Sequence, residues 1–257
     1  MKRLTSILFA LAALMGGAAG AAPSPQEILV ASDLVRNPDF PFGLTNTLVE
    51  YRQGKQTDSS VLAIYSRADA HGGQFRSLVR YVAPARDANK LILFNGKDLW
   101  LYDPASKASI RLSPQQRLLG QASNGDVVTV NFAGDYKATE AVEEDTQDGS
   151  RQTRHAYRLN LAPSNPDATY HRIEMWVDTA NARPIKARFY AESGKLLKTA
   201  YYRRYQNVFG VERPTETVII DGLEPDWVTV MRYADWVKRD VPEAWLQRDY
   251  LPRFKPE

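Results

Sequence analysis

Much of the chain alternates apolar and polar residues with a period of two, which is typical of β-strands with one buried face. The clearest case is residues 75–82, where one face is apolar and the other is mostly basic. Gly, Asn and Asp residues then separate a series of similar segments, as turns between antiparallel neighbours require. These segments lie at residues 138–142, 153–161, 170–177, 184–190, 196–205, 211–220 and 227–233.

The pair Asn95-Gly96 separates two runs, residues 91–94 and 99–102, that are apolar on both faces. Asn-Gly between apolar runs is the strongest short-range signal for a β-hairpin. Strands that are apolar on both faces are buried from two sides. We therefore expect a further part of the chain to cover the second face of the sheet at this hairpin.

A helix is predicted to follow residue 24. Ser24 and Glu27 form a capping box with Pro25 at the first helical position, and apolar residues then recur with helical spacing. Pro38 ends this pattern, because the residue before a proline is driven out of the helical region.

A second short helix is predicted between Ser113 and Gly120, because Ser113 and Gln116 repeat the capping signal and Gly120 is a typical helix end. The next segment, residues 127–130, has two interpretations. Its β-branched residues favour a strand, whereas Asp126 would cap another short helix.

A meander of about ten strands loses most of its exposed edges when it curls on itself. We therefore predict a mainly β fold with short helices, in which an incomplete antiparallel β-barrel carries a helical lid. A β-sandwich or β-barrel as long as residues 22–257 often forms one domain, so these residues are predicted to form a single domain.

The N-terminus has the features of a secretory signal peptide. Lys2 and Arg3 precede an apolar run at residues 7–14 and small residues that end at Ala21. The run is shorter than the roughly 20 apolar residues of a spanning helix. We expect residues 1–21 to be removed and the protein to be soluble in the periplasm.

Composition excludes several classes of function. The chain has no cysteine, which excludes disulfides, thiolate metal ligands and lipid attachment through cysteine. Without Lys2 and Arg3, 31 basic and 30 acidic residues remain, so the net charge is +1. This near balance indicates no nucleic-acid partner.

No catalytic residue, metal site or cofactor is predicted. His71, His155 and His171 are far apart in sequence, and the chain has no metalloprotease, nucleophile-elbow or phosphate-loop motif. The acidic residues at 143–148 match no calcium-binding loop and indicate a solvated turn.

The sequence NGKDLWLYDP at residues 95–104, with its flanks at 82–84 and 109–113, resembles the outer-membrane lipoprotein-sorting proteins, relatives of the periplasmic LolA and LolB carriers. The similarity extends to residues 116–120, 124–126, 176–178, 183–184 and 193–201. The resemblance implies an apolar cavity under a helical lid that shelters lipoprotein acyl chains. It also implies an inner-membrane transporter as donor and an outer-membrane acceptor.

The candidate lipid-binding residues are apolar side chains of the predicted strands and of the second helix. The sheet wall would be formed by Phe75, Val79, Tyr81, Ile173, Met175, Ile185 and Phe189. The aromatic rings of Trp100 and Tyr102 would either line the cavity or fill the core, and Leu118 and Leu119 would form a movable lid.

The leading hypothesis is a periplasmic carrier that binds lipoprotein acyl chains and transfers them toward the outer membrane without covalent chemistry. The first alternative is a carrier of another lipid or apolar molecule, possibly as the partner of an exporter. The second alternative is a secreted hydrolase.

Overall fold

The computed structural model describes residues 22–69, 74–166 and 168–255. The predicted signal peptide at residues 1–21 lies outside this part of the chain. The first six strands form a meander in which each strand pairs with the next. They are β1 (Phe42–Arg52), β2 (Lys55–Ala68), β3 (Phe75–Ala83), β4 (Leu91–Phe94), β5 (Leu99–Asp103) and β6 (Ala108–Leu112).

Two very short strands, β7 (Arg117–Leu119) and β8 (Ala122–Ser123), form a separate hairpin. A second meander of seven strands follows. Its strands are β9 (Tyr136–Gln147), β10 (Thr153–Pro163), β11 (Arg172–Asp178), β12 (Pro184–Tyr190), β13 (Leu196–Val208), β14 (Val211–Asp221) and β15 (Trp227–Lys238).

The two meanders become one antiparallel sheet because β1 pairs with β15. This sheet has thirteen strands, more than the ten expected, and it is not closed into a barrel, since β6 and β9 remain as its edges. Three α-helices accompany it: α1 (Pro25–Arg36), α2 (Asn124–Val127) and α3 (Phe132–Asp135). The prediction of an incomplete antiparallel barrel with short helices is confirmed.

The main hydrophobic core lies on the concave face of the sheet, under a cover that we define as α1 together with residues 113–135. Residues 113–135 connect the two edge strands, so they must pass across the open side of the sheet. Leu29 of α1, Val127 of α2 and Phe132 of α3 are buried in the same core as the inward-facing residues of the sheet.

The start of α1 follows the sequence prediction. The Oγ atom of Ser24 accepts a hydrogen bond from the backbone N–H of Glu27 at 3.3 Å, and the carboxylate of Glu27 accepts one from the backbone N–H of Ser24 at 2.7 Å. These two bonds satisfy N–H groups that have no partner within the helix. The helix ends at Arg36, before Asn37-Pro38.

The predicted helix between Ser113 and Gly120 is wrong. The backbone N–H of Gln116 donates to the carbonyl of Ser113 in a single turn, and the chain then extends as β7. Gly120 has a φ of +54° and makes the turn to β8, where an added Cβ would lie 2.3 Å from Oγ1 of Thr229. Leu118 and Leu119 therefore belong to a strand, although they still lie in the cover.

Neither interpretation of residues 127–130 matches the structure, because the short helix α2 ends at Val127. Ser123 is the N-cap of α2, and Asp126, three residues later, completes the capping box, so the helix begins before Asp126. After Val127, residues 128–131 have no regular secondary structure. The strand interpretation of residues 127–130 is therefore wrong.

The C-terminal segment covers the outer face of the hairpin β4–β5, as the two-faced apolar strands indicated. Two 3₁₀ helices, Glu243–Leu246 and Arg248–Arg253, follow β15. Trp245, Leu246 and Leu251 pack there in a second hydrophobic cluster with residues of β2 to β5. This part of the sheet is consequently buried from both sides.

Candidate functional site

A cavity of about 120 Å³ lies between the concave face of the sheet and the cover. Most of its wall is apolar. The sheet contributes Phe42, Leu44, Ile64, Tyr136, Phe189, Ala200, Ile219 and Met231, and the cover contributes residues 125–130 and Phe132. Arg36, Tyr202 and Tyr233 line the cavity near the C-terminus of α1.

The volume of the cavity is small compared with that of known ligand sites. Sites for drug-sized ligands usually measure about 300–1,000 Å³, and an apolar cavity of about 150 Å³ accepts a molecule the size of benzene. The 120 Å³ present here is too little for a long acyl chain. A larger ligand would therefore require the cover to move.

The C-terminal end of α1 is attached by hydrogen bonds from side chains to backbone carbonyls. One guanidinium nitrogen of Arg213, on β14, donates to the carbonyls of Leu34 and Val35 at 2.8 and 3.0 Å. Arg36 and Asn37 both donate to the carbonyl of Val130, at 3.0 and 2.9 Å. A hydrogen bond from a charged donor contributes about 1.5–3 kcal/mol, and one between neutral groups contributes about 0.5–1.5 kcal/mol. Three guanidinium bonds and one amide bond therefore hold this end of the helix.

An ion pair between Lys198 and Asp126 attaches α2 to the sheet within the cavity wall. The Lys198 ammonium, whose side chain is 5% exposed, contacts the Asp126 carboxylate and lies 3.2 Å from the carbonyl oxygen of Gln121. Asp126 also accepts hydrogen bonds of 2.8 Å from the Tyr170 hydroxyl and from the Ser123 backbone N–H.

Burial governs the protonation of this cluster. Burial lowers the pKa of Lys198, although the attraction of Asp126 opposes the shift. Burial and the neighbouring Asp126 charge raise the pKa of the Tyr170 hydroxyl well above its usual value. The hydroxyl of Tyr170 therefore stays protonated and donates to Asp126, which keeps the carboxylate fully bonded.

Eight of the eleven sequence-predicted residues lie on the side of the sheet that faces the cover. Phe189 lines the cavity itself. The others belong to the surrounding core, where Phe75, Val79, Leu119, Ile173 and Met175 are buried and Tyr81 and Leu118 pack against them.

Of the two interpretations of Trp100 and Tyr102, the one that places them in the cavity wall is wrong. Leu99 and Leu101 of β5 point into the main core, so the alternating residues Trp100 and Tyr102 take the outer face. Tyr102 is buried there under the C-terminal segment, and Arg248 lies over the ring of Trp100 at 4.5 Å.

Ile185 was also assigned to the wrong face, because β12 contains a bulge. Val177 pairs with Pro184 and Trp176 pairs with Lys186, which leaves Ile185 without an opposite residue. A bulge of this kind shifts the alternation of side chains. Ile185 therefore packs with Trp176 and Ala156 in a separate cluster.

Sequence reasoning missed the polar part of the cavity. Lys198 and Asp126 gave no local signal of their pairing, because they are 72 residues apart. Asn46 did leave a signal, since it interrupts the apolar series Phe42, Leu44 and Leu48 on one face of β1.

The histidines within the described ranges lie away from the cavity. His171 is exposed, and His155 is exposed on β10, where its ring nitrogens lie 3.0 Å from Asp145 and 3.3 Å from Glu143. His71 lies outside the described residues. Across the described parts of the chain, no three His, Cys, Asp or Glu side chains are grouped to hold a metal ion.

We expect His155 to titrate above its usual pKa of 6.5, because hydrogen bonds to Asp145 and then Glu143 favour the protonated ring. The stabilisation is complete below pH 6.5 and is lost as the pH rises through the folded-state pKa. NMR titration of the ring protons measures this pKa, and Asp145→Asn with Glu143→Gln should lower it. An unchanged pKa in that double variant would exclude the two carboxylates as the cause.

None of the helices in residues 22–69, 74–166 and 168–255 has the length and hydropathy needed to span a bilayer.

Comparison with known proteins agrees with this architecture. A family model described as "-like: Uncharacterized protein" matches residues 73–253. No match to the chain was found among curated proteins. The chain is similar to a LolA superfamily protein from Nitrosomonas europaea, with 34% identity over 89% of this chain and 100% of that one, and a TM-score of 0.79.

Two further solved structures share the fold at lower identity. A DUF1329 family protein from Desulfovibrio piger is 20% identical over 88% of this chain and 97% of that one, with a TM-score of 0.74. A domain from Vibrio parahaemolyticus assigned to outer membrane lipoprotein sorting is 18% identical over 89% of this chain and 98% of that one, with a TM-score of 0.73. The identity and coverage of the Nitrosomonas structure show that this chain belongs to the LolA superfamily.

Proposed function

We propose that this protein is a periplasmic carrier that binds the acyl chains of lipoproteins in its cavity and transfers them toward the outer membrane without covalent chemistry. The main support is an apolar cavity between a continuous sheet and a cover in which the C-terminal end of α1 is held by polar contacts. The resemblance to a domain assigned to lipoprotein sorting agrees with this proposal.

Burial supplies most of the affinity in such a carrier. Each methylene group removed from water contributes about 0.8 kcal/mol, so one long acyl chain is held strongly in an apolar site. Release then requires a movement of the cover or an acceptor of higher affinity. An inner-membrane transporter as donor and an outer-membrane acceptor would meet these requirements.

The small volume of the cavity limits the binding of an acyl chain. Its 120 Å³ must expand before a chain fits, and α1 is the part of the cover whose C-terminal end depends most on hydrogen bonds to backbone carbonyls. We therefore expect cargo binding to displace the C-terminal end of α1 from Val130 and Arg213.

A second candidate function is a carrier of another lipid with a polar group. It is favoured by the polar residues in the cavity wall, which include Lys198, Thr217 and Tyr233. A hydrolase has no comparable support, because the histidines at 155 and 171 are exposed and away from the cavity.

Replacing Ala200 with Leu should reduce lipid binding at least tenfold. Ala200 is 3% exposed and lines the cavity, so the larger side chain occupies the space that a chain would enter. Three added carbons correspond to about three methylene groups of lost burial for the ligand. The measurement is mass spectrometry of lipids extracted from the purified protein, together with titration of the fluorescent apolar probe N-phenyl-1-naphthylamine.

The control is Ala108→Leu, at an exposed position on the edge strand β6, which should leave binding unchanged. Co-purified lipids with acyl chains would support the carrier, and their identity separates lipoprotein from other lipids. If the wild-type protein neither carries lipid nor binds the probe, the proposed function is wrong.

A further inference from the structure

The side chain of Asn46 lies unpaired in the apolar interior. Asn46 is 0% exposed, and neither Oδ1 nor Nδ2 has a hydrogen-bond partner among the described residues. A buried amide without partners is unfavourable, because it has lost its water and gained nothing in return. An apolar residue of similar size would avoid this cost at the same position.

Asn46 faces the cavity side of the sheet. It lies on the same face of β1 as Leu44, and it is directly opposite Tyr233 on β15 and Leu62 on β2. Leu44 and Tyr233 line the cavity, and Leu62 belongs to the surrounding core. The amide therefore lies beside residues of the cavity wall, although Asn46 itself does not line the cavity.

Trp236 presents a second free polar atom to the same region. Its ring lines the cavity and stacks on Phe42 with 5.6 Å between ring centroids, but its Nε1 atom is buried and has no partner among the described residues. An irregularity in the pairing of β1 and β15 places Asp235 and Trp236 opposite Leu44, which is two residues from Asn46. Two donor nitrogens and one carbonyl acceptor are thus available on neighbouring strands.

We propose that Asn46 and Trp236 bind a carbonyl group of the cargo, so that the protein prefers acyl chains joined through an ester or amide to plain hydrocarbon chains. This inference rests on the proposed carrier function. The N–H groups of Asn46 and Trp236 donate to the carbonyl oxygen of either linkage. An amide has an additional N–H that the Oδ1 atom of Asn46 accepts, so it binds at least as tightly as an ester.

The test compares three probes that each contain thirteen carbon atoms: tridecane, methyl laurate and N-methyllauramide. Their affinities are measured by displacement of N-phenyl-1-naphthylamine, which has no carbonyl group. One to two hydrogen bonds correspond to about a tenfold gain in affinity, so wild-type protein should bind both carbonyl probes about tenfold more tightly than tridecane. A higher affinity for the amide than for the ester would identify an amide as the preferred linkage.

Asn46→Leu should lose the preference for the carbonyl probes over tridecane. Trp236→Phe, which keeps an aromatic ring against Phe42, should reduce the preference and tests the inference again if Asn46→Leu does not fold. A purely structural role for Asn46 would change the unfolding temperature and leave the preference intact.

The inference is overturned if the wild type binds the three probes equally or if both variants keep the preference. If the wild type does not bind N-phenyl-1-naphthylamine at all, the carrier function itself fails. The two failures are therefore distinguishable.

Discussion

Replacing Lys198 with Met should lower the free energy of unfolding by about 3–5 kcal/mol, the usual cost of removing one partner of a buried ion pair. The loss arises because Asp126 remains charged in the wall of the cavity without its counter-ion. The Lys198 side chain is 5% exposed and that of Asp126 is 15% exposed, so water compensates little. Chemical denaturation in urea at neutral pH measures the change.

The double variant Lys198→Met with Asp126→Asn should be more stable than Lys198→Met alone, because the amide carries no charge and keeps one of the two oxygens, which accept from Tyr170 and from Ser123 respectively. Lys195→Met, at an exposed position before β13, serves as the matched control and should change stability by less than about 0.5 kcal/mol. Equal stability of the single and double variants would show that the charge on Asp126 is not the source of the loss.

Replacing Leu29 with Ala should cost about 2–5 kcal/mol of stability, as expected when a fully buried leucine leaves a space behind. Leu29 is 0% exposed and packs in the main core below α1. The same substitution at Leu34, which is 57% exposed on the same helix, should cost less than about 0.5 kcal/mol.

Thermal or urea unfolding of the two leucine variants provides the measurement. Because both changes remove the same atoms from the same helix, their difference isolates the contribution of packing between α1 and the core. Similar losses in both variants would mean that α1 contributes through its helical propensity instead of through its contact with the sheet.

Features determined by neighbouring residues could be predicted from the sequence. The capping box at Ser24 and Glu27 involves residues three positions apart, and it places the start of α1 correctly. Asn95-Gly96 likewise places the hairpin of β4 and β5, in which Gly96 has a φ of +93°. In both cases the residues that stabilise the feature are part of it: the capping side chains lie at the helix start, and the glycine with positive φ lies in the turn.

Features decided by distant contacts could not be predicted. The segment after Ser113 has a helix-capping pattern, but the backbone N–H of Gln121 donates to Oγ1 of Thr229 at 2.8 Å and holds the segment as a hairpin against β15. A local pattern contains no information about a partner 108 residues away. The same limit applies to the pairing of Lys198 with Asp126.

The alternation of side chains predicts which residues share a face, but not where that alternation is interrupted. Ile173, Met175 and Phe189 lie on the concave side as expected. Ile185 does not, because the bulge in β12 shifts it to the other face. Which apolar side chains touch the cavity depends further on the path of the cover, so of the predicted wall residues Phe189 alone lines it.

Residues 113–135 run from β6 to β9, the two edges of the sheet, and they contribute no strand to its thirteen-strand hydrogen-bond ladder. This segment can consequently separate from the sheet without breaking any inter-strand bond of that ladder. Because it is tethered at both ends, it cannot diffuse away and returns to the same register. Opening of this kind is a local unfolding event, so repeated cycles of loading and delivery would leave the rest of the molecule folded.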